Sequence, residues 1–252
     1  MEFKAAGATD VGQVREANED SYLIDPMRKL YVVADGMGGH QGGGFASSKI
    51  MELVTAELDR LESMQETTQP LPVGEERTST QFRLLRSLQR ANQALFEISL
   101  KEPSLRGMGT TFTAVQMDER YANVAHIGDS RAYLIRGGQI SQLTEDHSWV
   151  QEQVKMGLLK PEDARNHPLK NIITRSMGHE RDVKVDLLKS EYQSGDKFLL
   201  CSDGLTNMVA DPEILEIVLG SNLEDAIQAL IKRANEEGGF DNITIVILEV
   251  VA

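Results

Sequence analysis

Strand-like segments come along this chain in groups, with pairs of helical segments between the groups, and that order constrains the fold more than any other feature. SYLI and LYVVA, separated by DPMRK, read as a hairpin. Apolar residues at helical spacing then predict one helix from about Phe45 to Leu61 and a second from about Gln81 to Leu100. TTFTAVQM, YANVAHIG and RAYLIR follow as compact strands joined by short turns, and RGGQ is a further hairpin signal. After a mixed region come strands KVDLL and KFLLCS, helices near Pro212–Leu219 and Leu223–Glu236, and a last strand, NITIVILEV. Regular βαβ alternation is missing, so the order predicts an α+β layered domain with mainly antiparallel sheets at the centre and helices outside.

Two stretches depart from this pattern. The polar interval ESMQETTQPLPVGEERTST, residues 62–80, reads as a surface loop. The region from about His147 to Gly178 carries a short helix near Val150–Met156 and then a polar, proline-bearing stretch, as expected of an excursion from the sheet. With no repeat, linker or composition break, one domain over residues 1–252 is the expectation.

Charge and cysteine usage narrow the function classes. Against 26 basic residues stand 39 acidic ones, a net charge of -13, which argues against nucleic acid or an anionic membrane as partner and leaves room for cations. A single cysteine, Cys201, excludes an intramolecular disulfide framework and suits a reducing compartment. MEFKAAGATD lacks an apolar signal core, and no apolar run approaches the roughly 20 residues of a membrane helix. A soluble cytoplasmic protein is expected.

Three apolar strands share one local grammar at their rims: Asp35 in DG after YVVA, Asp203 in SDG after KFLL, and Asp241 in DN directly before ITIVIL. An acid at a strand end is often only a turn former, but three with the same placement are harder to dismiss. Asp129, in the turn HIGDSRAY, is placed to reach the same rim, and Glu19 and Asp20 of REANED precede the first hairpin. Clustered carboxylates repel one another unless a cation compensates them, and hard oxygen ligands suit Mg2+ or Mn2+. With five histidines and no metal-type pairing among them, zinc fits less well.

The glycines of DGMGGHQGGG have a reading in the same terms. Gly36 can present its carbonyl to a cation beside Asp35, and the run through Gly44 lets the chain turn tightly into the helix. It is not a nucleotide loop: no Gly-Lys-Ser/Thr ends it, and Gln41 stands where the dinucleotide pattern beginning at Gly36 needs glycine. Arg15, just before the acids, carries a planar guanidinium suited to two phosphate oxygens, although a salt-bridged surface arginine is the commoner case.

Taken in order, REANED, VADGMGGH, GMGTTFTAV, HIGDSRAYL, LTEDHS, ITRSMG, LLCSDGL and DNITIV resemble the metal-dependent Ser/Thr protein phosphatase family of type 2C, particularly its compact bacterial members. The matching stretches run from about Asp10 to Val246. The resemblance implies an αββα sandwich of two antiparallel sheets flanked by helix pairs, with a two-metal site at one edge. It implies that Asp35 bridges the two metals, that the Gly36 carbonyl binds one, and that Asp203 and Asp241 bind the other. Glu19 joins the second metal directly or through water, with Asp20 in the surrounding shell. Asp129 with Asp203 matches the ligands of a third metal found in bacterial relatives. Arg15 maps to the arginine that binds substrate phosphate, and His40 to a candidate acid for the leaving group, with a structural turn histidine as the other reading. The excursion at about 147–178 corresponds to a flap beside the site.

Two departures stand out: Gly44 where many bacterial members have glutamate, and TRSMG in place of TRALG. Neither touches an expected ligand. The implied reaction is hydrolysis of phosphoserine or phosphothreonine by a metal-activated water, without a phosphoenzyme. Expected partners are cytosolic phosphoproteins, including a Ser/Thr kinase that the protein opposes, and a monomer is expected. A cysteine phosphatase is disfavoured, because Thr206 stands where its phosphate loop needs arginine after Cys201. The alternative from another class is a catalytically dead or weakly active signalling module that binds phosphoproteins and regulates a partner. It predicts a lost metal ligand, and every expected one is present.

Overall fold

The computed structural model describes residues 1–38, 42–63, 79–164 and 167–251. The expected first hairpin is β2 (Ser21–Asp25) with β3 (Leu30–Ala34), preceded by an N-terminal strand, β1 (Glu2–Asp10). The sequence reading assigned no strand to those first residues, which are rich in Ala and Gly. Tertiary pairing makes it one: all nine residues lie in antiparallel register with the final strand, from Glu2 opposite Val251 to Asp10 opposite Ile243. Gly36–Met37 forms a two-residue strand, β4, and helix α1 (Gly42–Ser63) follows. The polar interval lies outside the described residues over 64–78, and its two ends belong to α1 and to α2 (Ser79–Lys101).

Then come β5 (Gly109–Thr110), β6 (Phe112–Met117), β7 (Tyr121–Ile127), β8 (Arg131–Arg136) and β9 (Gln139–Gln142). The excursion holds helix α3 (Trp149–Lys155), capped by the Ser148 hydroxyl, and a single turn α4 (Pro161–Ala164). β10 (Asp186–Glu191) starts later than KVDLL suggested, because pairing with β7 begins at Asp186 opposite His126. The chain finishes with β11 (Lys197–Cys201), the short helix α5 (Asp203–Thr206), α6 (Asp211–Gly220), α7 (Leu223–Glu236) and β12 (Ile243–Val251).

Ten strands make two five-stranded antiparallel sheets, ordered β1-β12-β11-β8-β9 and β10-β7-β6-β3-β2, and β4 pairs with β5. The central strands are apolar on both faces because both faces are covered. In β3, Tyr31 and Val33 pack between the sheets, while Leu30, Val32 and Ala34 face α1 and α2. In β12, Val246, Leu248 and Val250 fill the inter-sheet core, whereas Ile243, Ile245 and Ile247 meet the layer containing α6 and α7. The result is the expected four-layer αββα sandwich, with Phe198, Leu200 and Tyr31 buried in its middle. Among the described residues no helix is long and apolar enough to cross a membrane.

Candidate functional site

This sandwich brings the strand-rim acids to one edge. Asp35 follows β3, Asp129 occupies the turn from β7 to β8, Asp203 opens α5 directly after β11, and Asp241 precedes β12. Strands β11 and β12 are neighbours in one sheet and β3 lies in the other, so the acids approach across the sheet-to-sheet gap. Their electrostatics records the closeness. Burial, followed by the charges of Asp20, Asp203, Asp129 and Asp241, holds the Asp35 carboxyl well above the usual carboxylate range. Asp129 is raised by burial and by Asp203. Asp203 is pushed up to about 6 by burial and the charge of Asp241, against the hydrogen bond from Asn207. Asp20 is pushed up to about 7, by burial first, while hydrogen bonds from Thr244 and Ser202 pull the other way.

Four carboxylate oxygens in this cluster are buried without a hydrogen-bond partner: Glu19 Oε1, Asp20 Oδ1, Asp129 Oδ1 and Asp203 Oδ1. Buried acceptors are normally satisfied, so a set of orphaned carboxylate oxygens at this edge fits a divalent cation with oxygen ligands. The carboxylates do not yet stand as a finished ligand set: among the described residues no three acidic, imidazole or thiol groups already converge at metal-ligand spacing. Three of the carboxylates are engaged by other partners. Asp241 Oδ2 takes the Arg15 guanidinium at 2.7 Å, Asp20 Oδ2 accepts from the Ser202 hydroxyl at 2.7 Å, and Asp203 Oδ2 accepts from Asn207 Nδ2 at 2.9 Å.

The glycine run is explained by close approach. A Cβ on Gly36 would sit 2.2 Å from the Gly43 carbonyl oxygen and 2.5 Å from that of Glu19. One on Gly43 would meet the Gly36 carbonyl carbon at 2.7 Å and the Glu19 carboxyl carbon at 2.9 Å. The start of α1 therefore presses directly on the backbone after Asp35. Gly44, by contrast, has room for a Cβ, its nearest neighbour lying at 3.6 Å. His40 lies outside the described residues.

Residues that the sequence reading did not single out hold the acids in place. Asn242 accepts from the Glu19 amide at 2.8 Å and donates to the carbonyls of Val11 and Ala17, both at 3.0 Å, fastening the Arg15–Glu19 segment to β12. Thr111 accepts from the Asp35 amide at 2.8 Å and lies 2.7 Å from the Ser130 hydroxyl, next to Asp129. The buried His126 donates through Nε2 to the Glu145 carbonyl, and burial holds it down at about 4, so it stays neutral. His147 clamps the glycine before Asp129: its Nδ1 accepts from the Gly128 amide and its own amide donates to the Gly128 carbonyl. All of these residues sit inside the quoted motifs, and that adjacency was the available signal.

The excursion after β9 lies beside this edge. Its Lys170 donates to Asn207 Oδ1 at 3.1 Å, and Asn207 in turn holds Asp203. Between the excursion and the start of α6 lies a cavity of about 420 Å³, whose lining includes Asp129, Asp203, Ser148, Lys170 and Asp211.

The chain has counterparts among known proteins in both sequence and fold. The protein phosphatase 2C family profile matches residues 12–244. The serine/threonine phosphatase stp of Listeria monocytogenes is 40% identical over 96% of this chain and 93% of its own length. Protein phosphatase PhpP of Streptococcus pneumoniae is 41% identical, covering 95% of this chain and 94% of its own. The crystal structure of the Mycobacterium tuberculosis serine/threonine phosphatase PstP/Ppp superposes with a TM-score of 0.86 at 36% identity, over 99% of both chains. The PstP catalytic domain in complex with two manganese ions superposes with a TM-score of 0.82, also at 36% identity and over 99% of both chains. Sequence and fold thus agree, and the chain belongs to the protein phosphatase 2C family, the metal-dependent protein serine/threonine phosphatases.

Proposed function

We propose that this chain hydrolyses phosphoserine and phosphothreonine in cytosolic phosphoproteins, using Mn2+ or Mg2+ held at the acid-lined edge, and opposes a Ser/Thr kinase. The observation that carries the reading is the set of buried carboxylate oxygens without partners at Glu19, Asp20, Asp129 and Asp203. Asp35, the Gly36 carbonyl, Glu19, Asp203 and Asp241 are the residues assigned to two cations, and Asp129 with Asp203 to a third. When bound, divalent cations supply charge neutralisation for the phosphoryl group and acidify water into a nucleophile at neutral pH.

The chain's own residues do the rest. Arg15 is the phosphate anchor: it is exposed and bound on one side only, to Asp241, which raises its pKa further and keeps it charged. A phosphate in the site competes with Asp241 for the same planar fork, so Arg15 would turn from Asp241 to the phosphate on substrate binding. Asn242 keeps Arg15 and Glu19 in register with Asp241 through the three bonds described above. His40 is the candidate proton donor to the departing serine or threonine oxygen. One catalytic domain over residues 1–252, monomeric, with residues 147–178 as its flap, completes the reading.

The test is phosphate release from a phosphothreonine peptide by purified protein, with and without manganese, alongside Asp35→Ala, Asp203→Ala and Arg15→Ala. Metal-dependent turnover, abolished by the two aspartate changes and weakened in KM by the arginine change, is expected. Folded protein that releases no phosphate in the presence of manganese overturns the reading.

A further inference from the structure

We infer that Phe240 and Val14 form an apolar platform beside the phosphate anchor, which takes an apolar side chain flanking the phosphorylated residue of a polypeptide substrate. The inference rests on the phosphatase reading and deepens it.

Both residues are large and apolar, and both lie open to solvent, Phe240 at 61% and Val14 at 60% exposure. Each is the immediate chain neighbour of a residue at the site: Phe240 precedes Asp241, and Val14 precedes Arg15. The two loops are tied together on either side of them. The Gln13 amide donates to the Gly239 carbonyl at 2.8 Å, and the Arg15 guanidinium donates to Asp241 at 2.7 Å. Residues 14 and 240 fall between these two links, so the two short segments that carry them run together at the rim.

The platform is also rigid. Gly238 and Gly239 both have positive φ, 125° and 51°, which only glycine adopts readily. A Cβ on Gly238 would strike the Phe240 ring at 2.7 Å, so one side of the ring rests on bare backbone. A Cβ on Gly239 would meet Asn235 Oδ1 at 2.4 Å and the Gln13 amide nitrogen at 2.9 Å, so the glycine pair also permits the approach of the two loops. Beneath them, Asn235 Nδ2 donates to Asp10 Oδ1 at 3.0 Å, and Gly12 has no space for a side chain beside the Asp241 carbonyl. An aromatic side chain that is held in place before binding loses little freedom when a partner covers it, which is the character of a recognition residue.

Continuity with Arg15 sets the occupant. With the phosphate on Arg15, the side chains flanking the phosphorylated residue are the parts of a substrate that meet the surface around Arg15 and Asp241, to which residues 14 and 240 belong. Their chemistry must match an apolar surface, since neither Phe240 nor Val14 offers a charge or a hydrogen-bonding group to a polar neighbour.

The experiment compares kcat/KM for two phosphothreonine peptides of equal length and charge, one with leucine and one with glycine on both sides of the phosphothreonine, using the manganese-loaded full chain. The leucine peptide is expected to be preferred by about tenfold, the scale of modest apolar discrimination. Phe240→Ser should reduce the preference to less than about threefold without changing turnover of the glycine peptide, and Phe240→Leu should restore most of it. Equal efficiency on both peptides, or a preference that survives Phe240→Ser combined with Val14→Ser, overturns the platform and leaves the phosphatase reading intact. Failure to turn over either peptide overturns the phosphatase reading and the platform with it.

Discussion

Replacing Asp203 with asparagine should make the metal-free protein more stable while removing its response to divalent cations. The Asp203 carboxyl is pushed from its ordinary 3.8 to about 6, by burial and by the charge of Asp241. Part of the residue remains open to solvent, but Oδ1 is buried and lacks a partner. A group whose folded pKa is raised binds its proton more tightly in the native state, so stability falls as pH rises from 3.8 towards 6 and the full penalty is present above that. At about 1.4 kcal/mol per tenfold change in ionisation, the penalty near pH 8 is about 3 kcal/mol. Near pH 5 about half of it remains, because the native carboxyl is then mostly protonated while the unfolded one is not. The carboxamide of Asp203→Asn carries no charge, and its oxygen can still accept from Asn207. In a chain of this size, thermal unfolding in chelator near pH 8 should therefore show the variant about 6 to 12 °C above the parent, with the gap narrowing towards pH 5. Saturating manganese, at about a thousand times its dissociation constant, should raise the parent by about 4 kcal/mol and the variant by much less, reversing the order. A variant no more stable than the parent in chelator near pH 8, or a gap that is the same at both pH values, refutes the reasoning.

Other perturbations probe the supports around the acids. Asn242→Ala removes one acceptor and two donors from the segment that carries Arg15 and Glu19; it should lower unfolding free energy in urea by about 3 kcal/mol and raise KM for phosphopeptide. Gly36→Ala drives a methyl group to 2.2 Å from the Gly43 carbonyl oxygen, so soluble protein should lack activity or fail to fold. Gly44→Ala, where the nearest atom is at 3.6 Å and the site is helical, should instead gain about 0.5 to 1 kcal/mol by thermal melt with activity kept. Phe198→Ala empties the middle of the inter-sheet core and should cost about 3 to 5 kcal/mol in the same urea titration.

Much of this protein was legible before any coordinates, for physical reasons that differ from element to element. The central strands β3, β11 and β12 are runs of apolar residues that can be stable only with both faces covered, which already demands layers on either side. The helices showed themselves by period, and α1 and α2 lie within a few residues of the predicted spans. Asp35, Asp203 and Asp241 were readable because an ionisable group at the rim of an apolar strand stands out locally. Local reading failed where structure comes from partners distant in the chain. β1 has little strand preference of its own and becomes a strand by pairing with β12 at the far end of the chain. The start of β10 is set by its register against β7, and α5 is a single turn without a period to detect.

Residue identities along the chain set the chemistry available here: which strands must be buried on both sides, which acids stand at their ends, and the glycines without which α1 could not approach Asp35. Folding brings acids separated by up to 222 residues to one edge, because stacking two sheets face to face places their strand ends together. The fold also sets which carboxylate oxygens are left without partners, since Ser202 reaches Asp20 Oδ2 and Asn207 reaches Asp203 Oδ2 while Oδ1 of each stays unpaired. A side chain's identity is a local fact, whereas its burial and its hydrogen-bond partner depend on what the rest of the chain places against it.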